Sequence, residues 1–380
     1  MYKEKTEEKQ LQKIHSICLN NNLVFASYKY PEADEIHTII QTQSEPGTIN
    51  NFDDITSCKG FLFSPFQNSK DNPVYIIKPD YYFTDFEIDD KLIEEIAKNA
   101  RYNGYVDANK PGHEISKTDY INHINKTIRE INSGFLEKVV LSRLIIHKGE
   151  FKNDIPDIFY SICKLYPNAF VFLVKIYNQF WIGASPEPLL SMDNGTVNTV
   201  SLAGTKQYKK DLLELNNWNE KELKEQEYVT LFIEKILSDF QISNYEKKGP
   251  YPKQAGHLLH LRTDITFSSS YIKSNIGKFI ENLHPTPAVC GIPKSKALDY
   301  ILKNEKHLRE YYSGILGVVN MNEKLSLYVN LRSMKILNNR VQIYVGGGIT
   351  SQSDPVEEWD ETNSKAQTML SVLKRINSLK

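Results

Sequence analysis

Apolar residues fall in short runs along this chain, and two periods can be read from them. A period of two dominates the C-terminal two thirds, where EKVVLSRLIIHKG, AFVFLVKIY, QFWIGAS, VNTVSLAGTK, SGILGVVNM, KLSLYVNLRSMKIL and RVQIYVGGGI are β-branched and aromatic segments and predict strands. Polar turns such as NMNE and LNNR join some of them, which predicts hairpins and therefore antiparallel sheets. A helical period interrupts them. In TDYINHINKTIREINSG, Tyr120, Ile121, Ile124, Ile128 and Ile131 share a stripe that stops at Asn-Ser-Gly. Longer helices are expected at about 217–241, 271–281, 293–309 and 354–379. The fold class is thus α+β with large antiparallel sheets. Residues 1–114 mix strand-like runs such as NNLVFASYKY and NPVYIIKP with polar loops and carry few motifs, and a break is expected at DANKPGHEISKTDY.

Composition removes several function classes. With 46 Lys plus Arg against 47 Asp plus Glu, the formal net charge is −1, so nothing pulls the whole protein toward nucleic acid or an anionic membrane. An anionic ligand would have to be met locally. No apolar run has the length of a membrane span, and MYKEKTEEKQLQ lacks the apolar core of a signal peptide; a cytoplasmic location is expected. Cys18, Cys58, Cys163 and Cys290 form no C-x-x-C pair, which argues against a zinc site or a disulfide framework.

The chemistry lies where charge meets the apolar face. In GGGITSQSDPVEEWDETNSK, Asp354 and Pro355 fit an N-cap and first-turn proline, and Glu357 fits a capping box. Capping does not account for Glu358 and Glu361, which share a stripe with Lys365, Met369 and Val372. NEKELKEQEYVTLFIEKIL repeats the arrangement, with Glu222 and Glu225 heading Val229, Phe232 and Ile236. A charged first turn explains either helix alone; two inward carboxylate pairs also suit a hard cation, Mg²⁺ before Ca²⁺. Alternation in EKVVLSRL puts Lys138 with Val140, Ser142 and Leu144, as either a lysine reaching for a sheet edge or a desolvated base. In YVNLRSMK, Tyr328, Asn330 and Arg332 share one expected face, and Arg332 suits a salt bridge or a bound carboxylate equally. Glu187 sits between prolines in GASPEPLLS, either a surface turn or a placed acid. Gly346, Gly347 and Gly348 allow close backbone approach but lack the spacing of a dinucleotide fingerprint or a P-loop. Cys290, with no evident paired base, reads as a small buried thiol.

Taken together and in order, KVVLSR, GASPE, LAGT, KELKEQE, HPTPAVCGIPK, YYSGILG, LRSMK, GGGI and EEWDETNSK resemble the chorismate-utilising enzymes, most closely the isochorismate synthases. The resemblance covers residue 115 to the end. It implies a single catalytic unit over 1–380, with two large antiparallel sheets around a central site and flanking helices. It makes Lys138 the general base for water attack at C2 of chorismate and Glu187 the general acid for the departing C4 hydroxyl. Glu225 and Glu361 match Mg²⁺ ligands, with Glu222 and Glu358 as additional or water-mediated ones. Arg332 and Tyr312 match residues holding the enolpyruvyl carboxylate, with Lys365 near the metal-bound carboxylate. Gly204, Thr205 and the triglycine are expected to supply backbone and hydroxyl contacts, and His284 to line the pocket. Lys138, together with Ala203 ahead of Gly204, favours water over ammonia as nucleophile, so no glutaminase subunit is expected. Ala288, where salicylate synthases typically carry threonine, favours release of isochorismate over pyruvate elimination. A salicylate synthase and a catalytically silent Mg²⁺-binding relative are the alternatives. Relatives of this length are often monomeric, and a monomer is expected.

Overall fold

The strand-like segments pair into two antiparallel sheets, each of nine strands among the described residues. The structure is a computed structural model and describes residues 2–43, 45–99, 112–255 and 258–378. The first sheet runs Gly291–Ile292, Lys138–Lys148, Arg340–Ile349, Ser333–Leu337, Gln179–Ser185, Phe170–Ile176, Val24–Lys29, Ile36–Gln41, Tyr81–Thr84. The second runs Tyr245–Ala255, Leu258–Ser268, Thr196–Gln207, Pro188–Asp193, Lys324–Val329, Ile315–Met321, Gly60–Ser64, Val74–Ile77, Gly47–Ile49. Strands from residues 1–114 therefore extend both sheets. The break expected at 107–120 lies partly outside the described residues.

The helices are α1 (Tyr2–Asn20), α2 (Asp90–Asn99), α3 (Lys117–Asn132), α4 (Ile155–Leu165), α5 (Glu220–Asp239), α6 (Ile276–Leu283), α7 (Lys294–Asn304) and α8 (Pro355–Asn377). They and the sheets form layers, because each sheet is apolar on both faces. One face of the first sheet, with Phe25, Leu173 and Ile182, packs on α1, α2, α4 and α8. The outer face of the second, with Leu62, Val197 and Ile265, packs on α5 and α6. Between the sheets lies an aromatic layer that includes Tyr28, Phe61, Phe170, Trp181, Tyr328 and Tyr344. Phe170 and Tyr328 stack across it with centroids 4.0 Å apart.

Three features depart from the sequence expectation. Helices α1, α2 and α4 were not expected; α1 buries Leu11, Ile14 and Cys18, a helical stripe hidden behind a strongly charged first half. The hairpin of Tyr245–Ala255 and Leu258–Ser268 was also not expected. Its outer strand carries two prolines and three lysines, a composition that suits only a sheet edge. Finally, KLSLYVNLRSMKIL is not one strand. It breaks at Asn330–Arg332, with Arg332 at φ 49°, and passes from the second sheet to the first. Tyr328 consequently enters the aromatic layer while Arg332 turns to a cavity, so the shared face expected for Tyr328, Asn330 and Arg332 does not exist.

Candidate active site

Two such crossings lie side by side. The chain leaves the first sheet at Ser185 and enters the second at Pro188, which puts Glu187 on the connection. It returns through Asn330–Arg332. Val329 N–H donates to Glu187 O at 3.0 Å and Ala184 N–H to Arg332 O at 3.1 Å, while the Ser185 hydroxyl donates to Val329 O at 2.6 Å. A carboxyl and a guanidinium are thereby fixed at one end of a cavity of about 700 Å³. Both sheets contribute to its walls, through Val140 and Tyr344–Gly348 on one side and Leu202–Thr205 and His260 on the other.

Lys138 begins its strand fully buried, and its Nζ donates to Glu225 Oε1 of α5 at 2.8 Å. The neighbouring Gly346–Gly348 segment separates the two acidic helices. A Cβ on Gly348 would lie 2.7 Å from Glu225 Oε1 and 3.0 Å from Lys138 Cε, and one on Gly347 would lie 3.1 Å from Glu358 Oε2 of α8. The absent side chains are what let both carboxylates approach one strand. Gly204, at φ +70°, forms a bulge in its strand, with the register shifting between Ala203 and Thr205. A Cβ there would meet Glu222 at 3.1 Å. From the far face of the Lys138 strand, Arg143 holds α8 in place, stacked on Trp359 at 3.7 Å and donating to Thr362 Oγ1 at 2.9 Å.

Each carboxylate of the two helices has a lysine beside it. Lys138 lies 2.8 Å from Glu225, Lys221 3.1 Å from Glu358, Lys206 3.5 Å from Glu222 and Lys365 2.6 Å from Glu361. Lys221 is the most exposed of these cations, with 28% of its side chain accessible, against 0% for Lys138. Partial burial lowers the proton affinity of Lys221, but Glu358, Glu361 and Glu225 together raise it above the ordinary lysine value. An ammonium group thus sits where three negative charges converge. Among the described residues, no three His, Cys, Asp or Glu side chains close around a point as a metal shell would. The donor set nonetheless fits a hard cation. It is all oxygen, and Glu222 Oε2 is buried without a hydrogen-bond partner.

The two glutamates nearest the cavity differ in charge. Burial pushes Glu187 up to about 8, although Lys138, Lys365 and Arg332 pull the other way. Burial also raises Glu225, but there Lys138, by charge and hydrogen bond, prevails and holds it below the usual carboxylate range. Glu358 is pushed upward by burial and by Glu361, against Lys221 and Ser353.

Of the other expected residues, Thr205, Ala288, Tyr312 and Lys365 line the cavity with Arg332, whose Nη1 is buried without a partner. Lys365 Nζ also donates to Gly346 O at 3.0 Å. His284 is buried but stands outside the lining. Its N–H closes α6 on Ile280 O, and both ring nitrogens lack partners. His260 went unnoticed in the sequence yet lines the cavity, with Nδ1 3.1 Å from Thr205 Oγ1 and Nε2 unpartnered. Burial lowers it to about 3, so it is neutral. Its signal is the register that sets Thr205 opposite His260, which no local pattern carries.

The family described as chorismate binding enzymes matches residues 81–374. The chain belongs to this family. Similar chorismate-binding enzymes include the isochorismate synthase MenF of Bacillus subtilis, 30% identical over 68% of this chain and 56% of its own length. The vibriobactin-specific isochorismate synthase of Vibrio cholerae is 28% identical over 67% of this chain and 66% of its own length. The matched region thus spans little more than half of the Bacillus subtilis relative. A solved structure described as a 2,3-dihydroxybenzoate-specific isochorismate synthase, DhbC from Bacillus anthracis, has the same fold, with a TM-score of 0.72 over 92% of this chain and 96% of that one at 22% identity. Among the described residues no helix is long and apolar enough to cross a membrane.

Proposed function

We propose that this protein is an isochorismate synthase, converting chorismate to isochorismate by adding water at C2 and losing the C4 hydroxyl as the ring double bonds shift. One observation carries the reading. A buried carboxyl that keeps its proton up to about pH 8 shares a site with a fully buried lysine. Water entering at C2 must lose a proton, the hydroxyl leaving C4 must gain one, and Lys138 and Glu187 are suited to those opposite tasks.

Glu225, Glu361, Glu358 and Glu222 would hold Mg²⁺, which when bound supplies positive charge for the ring carboxylate of chorismate. The 2.8 Å contact holds Lys138 Nζ against Glu225, so the proposed base stands directly beside one of the carboxylates that would hold the metal. Arg332 and Tyr312 would hold the enolpyruvyl carboxylate, and neutral His260 would offer its free Nε2 to a polar group of the substrate.

Ala288 and Ala203 favour isochorismate as the released product and water as the nucleophile, in a protein working without a glutaminase subunit, as a monomer, in the cytoplasm. A salicylate synthase is the second reading, since it shares the Lys138 chemistry. The names of the relatives support supply to menaquinone as well as to a siderophore. Incubation with chorismate and Mg²⁺, with chromatography of the products and a pyruvate assay, tests the proposal. Isochorismate with little pyruvate is expected; salicylate with matching pyruvate would favour the second reading, and no metal-dependent turnover would remove both.

A further inference from the structure

A second cavity, of about 1350 Å³ and open to solvent, lies against the first and shares Pro186 and Arg332 with it. Both shared residues stand on the crossings between the sheets, so this cavity leads from solvent to the end of the catalytic cavity where Glu187 and Arg332 are fixed. Its walls are the end of α4 around Tyr166 and one face of α8 bearing Thr368, Ser371 and Arg375, held together where the Tyr166 hydroxyl donates to Thr368 O at 3.0 Å.

The charges along it have one sign. Arg332 stands at the inner end with Nη1 buried and unpartnered, and Arg375 is exposed on α8 with no carboxylate partner among the described residues. The carboxylates of the acidic helices, Glu222, Glu358 and Glu361, each have a lysine beside them, so that part of the site offers a substrate with two carboxylates no unpaired positive charge, and the net charge of −1 gives no general attraction. We infer that the second cavity is the entrance for the dianionic substrate, with Arg375 as the residue that draws it toward Arg332. The inference rests on the proposed use of chorismate.

The test is the association rate of chorismate with the full chain and Mg²⁺, read by stopped-flow tryptophan fluorescence. Trp181 stacks on Tyr344 of the cavity wall with centroids 5.1 Å apart and serves as reporter. Arg375→Glu should slow association about five- to tenfold at low ionic strength, the deficit shrinking as salt screens it, with turnover at saturation unchanged and Arg375→Lys near wild type. Ser371→Trp, on the exposed wall, should slow association at all salt concentrations. Wild-type rates in both variants would overturn the entrance. Binding of chorismate without isochorismate formation would overturn the proposed reaction instead, and the rates would still decide the entrance.

Discussion

Glu187 and Glu225 line the same cavity and carry the same side chain, yet the protein drives their proton affinities apart. Glu187 is 7% exposed and has no lysine hydrogen-bonded to it among the described residues; burial prevails and the carboxyl stays protonated near neutrality. Glu225 keeps 20% of its side chain exposed and touches Lys138 at 2.8 Å; the partner prevails and the carboxylate stays charged. Burial alone therefore does not decide charge in this cavity. A direct cationic contact does, and it divides the site into an acid end and an anionic end.

The largest expected effect removes the group that makes this division. Lys138→Ala should lower kcat by about 10³-fold or more while leaving Mg²⁺-dependent binding of chorismate in place, and turnover at the wild-type rate would remove the lysine as base. Glu187→Gln should lower kcat by about 10²-fold and keep the fold. It also exposes the raised proton affinity thermodynamically. Between the ordinary 4.5 and about 8, only the folded protein holds the Glu187 proton, so unfolding releases it and wild-type stability falls as pH rises through that window. The variant lacks this term. Its Tm relative to wild type should climb from pH 5 to pH 8 and level off above; a constant difference would mean that Glu187 is ionised like any surface carboxylate.

At the anionic end, Glu361→Ala should raise the Mg²⁺ concentration for half-maximal activity by at least about tenfold, and an unchanged titration would take Glu361 out of the metal set. Ala288→Thr is the mildest change. It should leave isochorismate formation within a few-fold of wild type and raise pyruvate release, measured in the same incubation; no added pyruvate would show that this position does not set the product.

The sequence revealed this site unevenly. The strands Lys138–Lys148, Gln179–Ser185 and Arg340–Ile349 and the helices α3, α5 and α8 were legible because their apolar periods are long and their caps local. Asp354, for instance, accepts from the N–H groups of Val356 and Glu357 as the cap predicted. The carboxylate stripes were legible for the same reason. The pairings were not. That Lys138 would meet Glu225, or that a glycine strand would separate α5 from α8, depends on contacts between segments tens to hundreds of residues apart. Nor could alternation reveal the turn at Arg332, because a strand that changes sheets keeps its composition while losing its register.

The paired crossings at Glu187 and Arg332 have a consequence for motion. Each segment is rooted in both sheets, and the bonds from Ser185 to Val329 and from Val329 to Glu187 tie one to the other. A breathing movement that parts the sheets to admit or release a ligand would carry these residues as one hinge. Glu187 and Arg332 would then keep their spacing while the walls around them open and close.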